Sequence, residues 1–158
     1  MLEGGIRVST ILSWPGRLRR RQVDDTPMVT MDWTATLLEL AGAEPDADHP
    51  LDGSSLVDYL FGGGLPPRRD LFWRMRGQRA LRRGELKYVQ LADGADHLYD
   101  LSADAREQAD LAARRPDELA SLRRAWEAID ATLLPYPAGQ SRSSRAVPGP
   151  GAAAAPGP

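Results

Sequence analysis

The spacing of apolar residues changes along the chain, and each change predicts a different element. Residues 6–14 are rich in β-branched and apolar side chains and end at a Pro-Gly pair, which predicts a strand. Residues 33–41 follow Asp32 as an N-cap and stop at Gly42, which predicts a short helix. An apolar stripe before three glycines predicts a second short helix over residues 54–61.

From residue 70 onward, short runs of strand-forming side chains are separated by pairs such as Arg-Gly and Asp-Gly. This spacing predicts an antiparallel meander of four strands, over residues 71–75, 78–81, 86–91 and 97–101. Pro116 then opens a long predicted helix with apolar residues every three or four positions, namely Leu119, Leu122, Trp126, Ile129 and Leu133. We expect this helix to lie across the meander, with Trp126 as its anchor.

Composition limits the class of protein. The 20 basic and 22 acidic residues give a net charge of -2, which excludes a strongly basic nucleic-acid binder. The absence of cysteine excludes disulfides, thiolate metal sites and cysteine nucleophiles. No window approaches the roughly 18 apolar residues of a membrane span. Residues 138–158 are rich in Ala, Gly and Pro and predict a disordered tail.

The residues that most often carry chemistry form no recognisable site. His49 and His97 are the only histidines, and neither has the spacing of a helical zinc motif, so we expect a loop and an ordinary strand position for them. The aspartates do not fit a calcium loop and are interpreted as turns and caps: Asp24, Asp25, Asp46, Asp48 and Asp52.

Two further patterns are interpreted in the same plain way. The glycines at 62–64 follow a helix and lack the lysine of a phosphate loop, so they are interpreted as a linker. The basic residues Arg17, Arg19, Arg20 and Arg21 would suit phosphate, but a solvated loop balanced by Asp24 and Asp25 is the favoured interpretation.

A series of short motifs runs through residues 3–137 in a fixed order. They are Glu3-Gly4-Gly5-Ile6-Arg7-Val8, Trp14-Pro15-Gly16-Arg17, Thr36-Leu37-Leu38-Glu39-Leu40-Ala41-Gly42, Leu51-Asp52-Gly53-Ser54-Ser55-Leu56, Leu71-Phe72-Trp73, Lys87-Tyr88 and Leu98-Tyr99-Asp100-Leu101. In order and spacing they resemble the C-terminal portion of arylsulfatase-type, formylglycine-dependent sulfatases of the alkaline-phosphatase-like superfamily.

This resemblance implies an α/β fold class, and more specifically an α+β fragment. Residues 1–65 would be a remnant of the catalytic α/β domain, containing one strand and two helices. Residues 66–137 would be the C-terminal subdomain, a four-stranded antiparallel sheet packed by a long C-terminal helix. The predicted tail, residues 138–158, lies outside the resemblance.

The resemblance also implies a chemistry that this segment lacks. The family hydrolyses sulfate esters with a formylglycine, made from a Cys/Ser-x-Pro-x-Arg motif, and with calcium held by aspartates and an asparagine. Both lie upstream of the segment present here, and the matching letters from Ser13 to Arg17 belong to the Trp-Pro-Gly block instead. We therefore assign no catalytic, cofactor or metal residue, place only Arg7 at the edge of the substrate pocket, and expect no sulfatase activity from the chain alone.

Two classes of function remain open. The chain is either the C-terminal part of a sulfatase, which meets a sulfate-ester substrate only through a missing N-terminal half, or an independent non-enzymatic interaction module. We expect neither nucleic acid nor membrane as a partner, and we expect self-association through an exposed N-terminal strand. The compartment stays open: cytoplasmic by default without a signal peptide, exported if the natural N-terminus is missing.

Overall fold

A computed structural model describes residues 1–135, and the predicted tail at 138–158 lies outside these residues. The elements in chain order are helix α1 (Glu3–Ile6), helix α2 (Thr30–Leu40), a π-helix (Asp58–Gly62), strands β1 (Asp70–Met75), β2 (Gln78–Arg83), β3 (Leu86–Gln90) and β4 (Asp96–Asp100), and helix α3 (Pro116–Asp130). No helix among the described residues combines the length and apolar character needed to cross a membrane.

The four strands form one antiparallel sheet in the order β1-β2-β3-β4, which confirms the predicted meander and fold class. The register aligns Leu81 of β2 with Tyr88 of β3, and Tyr88 with Leu98 of β4. Gly84 in the β2–β3 turn has φ 59°, a left-handed conformation that glycine adopts without strain. The chain needs only short turns here, because every strand pairs with its sequence neighbour.

Helix α3 covers one face of the sheet, as its apolar spacing predicts. Leu122 and Trp126 are buried against Leu81, Tyr88 and Leu98. The Trp126 ring also stacks on Phe72 at 5.2 Å, and its Nε1–H donates to the Trp73 carbonyl oxygen at 3.0 Å. Trp126 is therefore the anchor of the helix, whereas Leu133 lies beyond the last helical residue and is exposed.

The opposite face of the sheet is covered by the beginning of the chain. Ala80, Val89, Tyr99 and Leu101 form a second buried cluster, and Met1 packs against it. Both faces of the sheet are thus withdrawn from water, one by the long helix α3 and the other by Met1 and the single turn of α1.

The predicted strand over residues 6–14 is wrong. Residues 3–6 form one helical turn, and residues 7–14 have no regular structure and are exposed; Ile11 retains 92% of its accessible surface. A strand needs a partner for its backbone groups, and the four-stranded sheet pairs only with itself. The expected self-association therefore has no N-terminal strand edge on which to rest.

The two helices of the first third are displaced from their predicted bounds. Helix α2 begins at Thr30, so Asp32 lies in the first turn, where its carboxylate accepts the Val29 N–H at 2.9 Å. The second predicted helix begins later and is a short π-helix, because Asp32 and Thr36 accept the backbone N–H groups of Ser54 and Leu56. These side-chain acceptors hold residues 54–56 as a loop.

Candidate functional site

A cluster of buried charges joins the first residues of the chain to the sheet. The ammonium nitrogen of Lys87 lies 2.7 Å from Glu3 Oε1 and 2.8 Å from Glu107 Oε1, and all three residues are buried. The contact with Glu3 is a hydrogen bond, whereas the contact with Glu107 has no favourable angle and is chiefly coulombic. The Glu3 backbone N–H donates to the other oxygen of Glu107.

Local structure explains why these charges meet. Alternation along β3 turns Lys87 away from α3, and the register places Arg82 of β2 directly opposite it. Glu3 compensates both cations, with its carboxylate 3.9 Å from the Arg82 guanidinium. Glu107 reaches the cluster from the segment after β4, with φ at 55°. The cluster fixes the Glu-Gly-Gly motif on the sheet, and with it the backbone that leads to Arg7.

A second polar junction ties α2 to the segment that enters the sheet. The buried Asp32 carboxylate accepts the N–H groups of Val29 and Ser54 and pairs with the Arg69 guanidinium. Burial alone would raise the pKa of Asp32, but Arg69 and the two N–H donors together outweigh it and lower the pKa below its usual value. Gly53 belongs to this junction, since a Cβ there would lie 2.1 Å from the Met31 carbonyl oxygen.

Between these junctions lies an open cleft of about 850 Å³, lined by residues 24–27, 66–71 and 82–85. Its arginines are mostly committed: Arg69 to Asp32, Arg82 to Glu85 and Glu3, and Arg83 to Asp70 through two contacts of 2.6 and 2.7 Å. Arg68 is exposed at the cleft. An anionic group that enters the cleft could therefore pair with the guanidinium of Arg68, whereas the other arginines of the cleft already have carboxylate partners.

The predicted pocket residue, Arg7, lies beside this cleft. Its backbone N–H caps α1 by donating to the Glu3 carbonyl oxygen at 2.8 Å. Its side chain is 58% exposed, and its guanidinium lies 3.6 Å from Asp25, which lines the cleft. A contact of Arg7 with substrate stays a prediction.

The two histidines lie in different parts of the fold, and each is paired with its own aspartate. His49 pairs with Asp46 in an exposed loop, and His97 in β4 holds Asp110 through Nδ1 at 2.8 Å, while His97 Nε2 is buried without a hydrogen-bond partner among residues 1–135. In this part of the chain no three His, Asp or Glu side chains are arranged to hold a metal ion. The described residues therefore do not fit the calcium that the family implies. Ser13, the letter match to the formylglycine motif, is exposed.

No local sequence pattern groups Lys87 with Glu3 and Glu107. One signal was present: Lys87 is an isolated lysine inside the apolar run Leu86 to Val89, at a position where alternation requires a covered side chain. A lysine that is fully buried needs a carboxylate partner. The identity of that partner, 84 residues away in sequence, had no local signal.

Comparisons with known proteins place the chain among sulfatases. An uncharacterized sulfatase of Schizosaccharomyces pombe is 33% identical over 144 residues, which cover 82% of this chain and 26% of the relative. The N-acetylgalactosamine-6-sulfatase of Canis lupus familiaris is 35% identical over 85 residues, covering 54% of this chain and 16% of the relative. No family model matches the sequence.

Solved structures agree on the fold. A Bacteroides thetaiotaomicron protein of glycosaminoglycan metabolism superposes with a TM-score of 0.56 at 22% identity, over 63% of this chain and 24% of that chain. The chain spans about a quarter, or less, of the length of these relatives. The sequence identities extend over most of the chain, and its sheet and α3 superpose on a solved structure of the same fold. The chain therefore belongs to the sulfatase family and has part of its alkaline-phosphatase-like fold.

Proposed function

We propose that this chain is the C-terminal part of a sulfatase and that it takes part in sulfate-ester hydrolysis only together with the rest of the family's chain. The observation that carries the proposal is the 33% identity to a sulfatase over 82% of this chain, a region that makes up only 26% of that relative. In the complete enzyme the formylglycine and calcium would supply nucleophile and Lewis acid from the remaining portion.

The role of this chain would be to support and to border the pocket. The Glu3–Lys87–Glu107 cluster fixes the Glu-Gly-Gly segment. The backbone that leads to Arg7 is therefore held, while the Arg7 side chain extends into solvent. An arginine at the pocket edge offers a planar pair of donors that suits a sulfate oxygen pair. Arg7 would therefore bind substrate and would perform no bond-breaking step.

The test compares the purified chain with the reconstituted enzyme on a chromogenic aryl sulfate with calcium. The chain alone is expected to give no turnover above the buffer blank. Expressed with the polypeptide encoded upstream of Met1, it is expected to give activity, with Arg7→Gln raising KM several-fold and Arg114→Gln, another exposed arginine, leaving KM unchanged. Turnover that tracks with the isolated chain would overturn the proposal.

The alternative function is an independent, non-enzymatic module. It is favoured by one observation: the irregular segment at residues 7–29 exposes Val8, Ile11 and Val23, which a partner or a second copy of the chain could cover. An unrelated gene upstream of Met1, together with a monodisperse and protease-resistant chain, would favour this module. Concentration-dependent light scattering tests the self-association.

A further inference from the structure

We propose that the outer edge of strand β1 pairs with the same edge of a second copy of this chain, so that two four-stranded sheets join into one sheet of eight strands. The pairing is antiparallel and symmetric, and it is centred on Phe72. This inference goes beyond the proposed function, because it assigns an interaction surface and a partner to the sheet itself.

The hairpin between β1 and β2 determines which backbone groups of β1 point outward. Met75 and Gln78 flank a two-residue turn and form the closing pair of the two strands, so they exchange both backbone hydrogen bonds. The bonding direction alternates along a strand. The residues at odd positions of β1 therefore bond to β2, whereas the N–H and C=O groups of Asp70, Phe72 and Arg74 face away from the sheet.

The rest of the chain covers one edge of the sheet and not the other. At the β4 edge, the Leu98 N–H donates to the Asp110 carboxylate at 3.1 Å, and the Leu98 carbonyl oxygen accepts the Leu111 N–H at 2.8 Å. At the β1 edge, no hydrogen bond within residues 1–135 reaches the outward backbone groups of Asp70 or Phe72. These groups are therefore available to another strand.

The sequence of β1 favours one register for a symmetric pair. When the pair is centred on Phe72, all three outward-bonding residues meet one another: Phe72 lies opposite Phe72, and Asp70 lies opposite Arg74 at both ends. A centre at residue 71 or 73 would instead set Asp70 or Arg74 opposite Phe72. Opposite charges across a strand pair stabilise it, so these two residues select the register centred on Phe72.

The charges beside β1 extend this match on the face that carries α3. Asp70 pairs with Arg83 at 2.6 Å, and Arg74 pairs with Asp130 at 2.7 Å. Joining the two edges therefore lines up side chains of alternating sign across both sheets, and each ion pair within a chain can stay in place. On the other face, the apolar side chain at position 71 lies opposite the one at position 73 of the second copy.

The surroundings of β1 leave room for a second sheet. Helix α3 lies chiefly over β2 and β3, so it does not extend beyond β1 over the edge. The register centred on Phe72 brings the β1–β2 turn of the second copy beside residues 66–69. These residues line the open cleft of about 850 Å³, which can take up the turn.

The first experiment measures the mass of the full 158-residue chain by analytical ultracentrifugation over a range of concentrations, where we expect a monomer–dimer equilibrium. Asp70→Arg sets arginines opposite each other at both ends of the pair, and Arg74→Asp does the same with aspartates. Each variant is expected to weaken the dimer about tenfold or more. An equimolar mixture of the two variants restores opposite charges at both ends and is expected to dimerise like the native chain. Arg124→Asp, at an exposed position of α3, is the control and should change the affinity less than about threefold.

The second experiment tests the register by disulfide formation and does not depend on the charge variants. The chain has no cysteine, so one introduced thiol reports only its distance from the thiol of the second copy. Phe72→Cys brings two Cα atoms to about 5.5 Å, within reach of a disulfide. Met75→Cys, at the exposed end of the same strand, is the control, because its two copies would lie about 20 Å apart. Mild oxidation is expected to join the Phe72→Cys chains and to leave the Met75→Cys chains separate.

Three results would overturn the inference. A native chain that stays monomeric up to about 1 mM would leave the edge to another occupant, such as residues 136–158 or the remainder of a sulfatase chain. A mixture of the two charge variants that dimerises no better than either alone would mean that Asp70 and Arg74 do not face each other. Equal disulfide formation in the two cysteine variants would mean random collision instead of a fixed register.

Discussion

Replacing Lys87 by methionine tests whether the buried charge cluster holds the N-terminal segment on the sheet. Each ion contact of 2.7 to 2.8 Å is worth about 6 kcal/mol of attraction at an effective dielectric constant of about 20, and the desolvation of three buried ions offsets much of it. Lys87→Met keeps an unbranched side chain, one atom shorter, but leaves Glu3 and Glu107 buried without their shared cation. We expect a loss of about 3 to 5 kcal/mol in the free energy of unfolding.

The measurement is denaturant unfolding combined with amide exchange at Gly5, whose N–H donates to the Leu2 carbonyl oxygen within the held segment. Adding Glu3→Gln and Glu107→Gln to Lys87→Met should recover most of the loss, because no buried carboxylate then lacks a cation and Arg82 keeps its contact with Glu85. Arg123→Met is the matched control: Arg123 also has two acidic partners but is 48% exposed, so the cost should stay below about 1 kcal/mol. A Lys87→Met cost no larger than this control, with unchanged exchange at Gly5, would refute the reasoning.

Two further predictions concern stability. Trp126→Ala should cost about 3 to 5 kcal/mol in denaturant unfolding, because it opens a cavity under α3 and leaves the Trp73 carbonyl oxygen without its donor; a change under about 1 kcal/mol would contradict the anchoring role. The lowered pKa of Asp32 stabilises the fold above its unfolded value of 3.8, and this contribution is lost as the pH falls through the lower folded pKa. Unfolding curves recorded below pH 3.8 should therefore show a smaller pH dependence for Asp32→Asn than for the native chain, and identical pH dependence would exclude this role.

The elements that the sequence predicted well are those specified by neighbouring residues. Strands β1 to β4 pair with their sequence neighbours across short turns, and α3 is set by its own apolar stripe, so local patterns suffice. The strand predicted over residues 6–14 failed because β-branched residues favour an extended chain only where a partner strand exists. The charge cluster was missed for a related reason: Glu3 and Lys87 are brought together by the tertiary fold alone.

The cover that the first residues give to the second sheet face has a consequence for the order of folding. Met1 and Glu3 must contact residues up to Glu107, a separation of 104 residues, while the meander pairs neighbouring strands and Trp126 of α3 bonds to Trp73 over 53 residues. Closing so long a loop costs more chain entropy than forming the strand pairs does. The sheet and α3 should therefore assemble first, and the docking of α1 should follow as a slower phase. During synthesis Glu3 leaves the ribosome long before Glu107, and it finds its place on the sheet only once Glu107 has emerged as well.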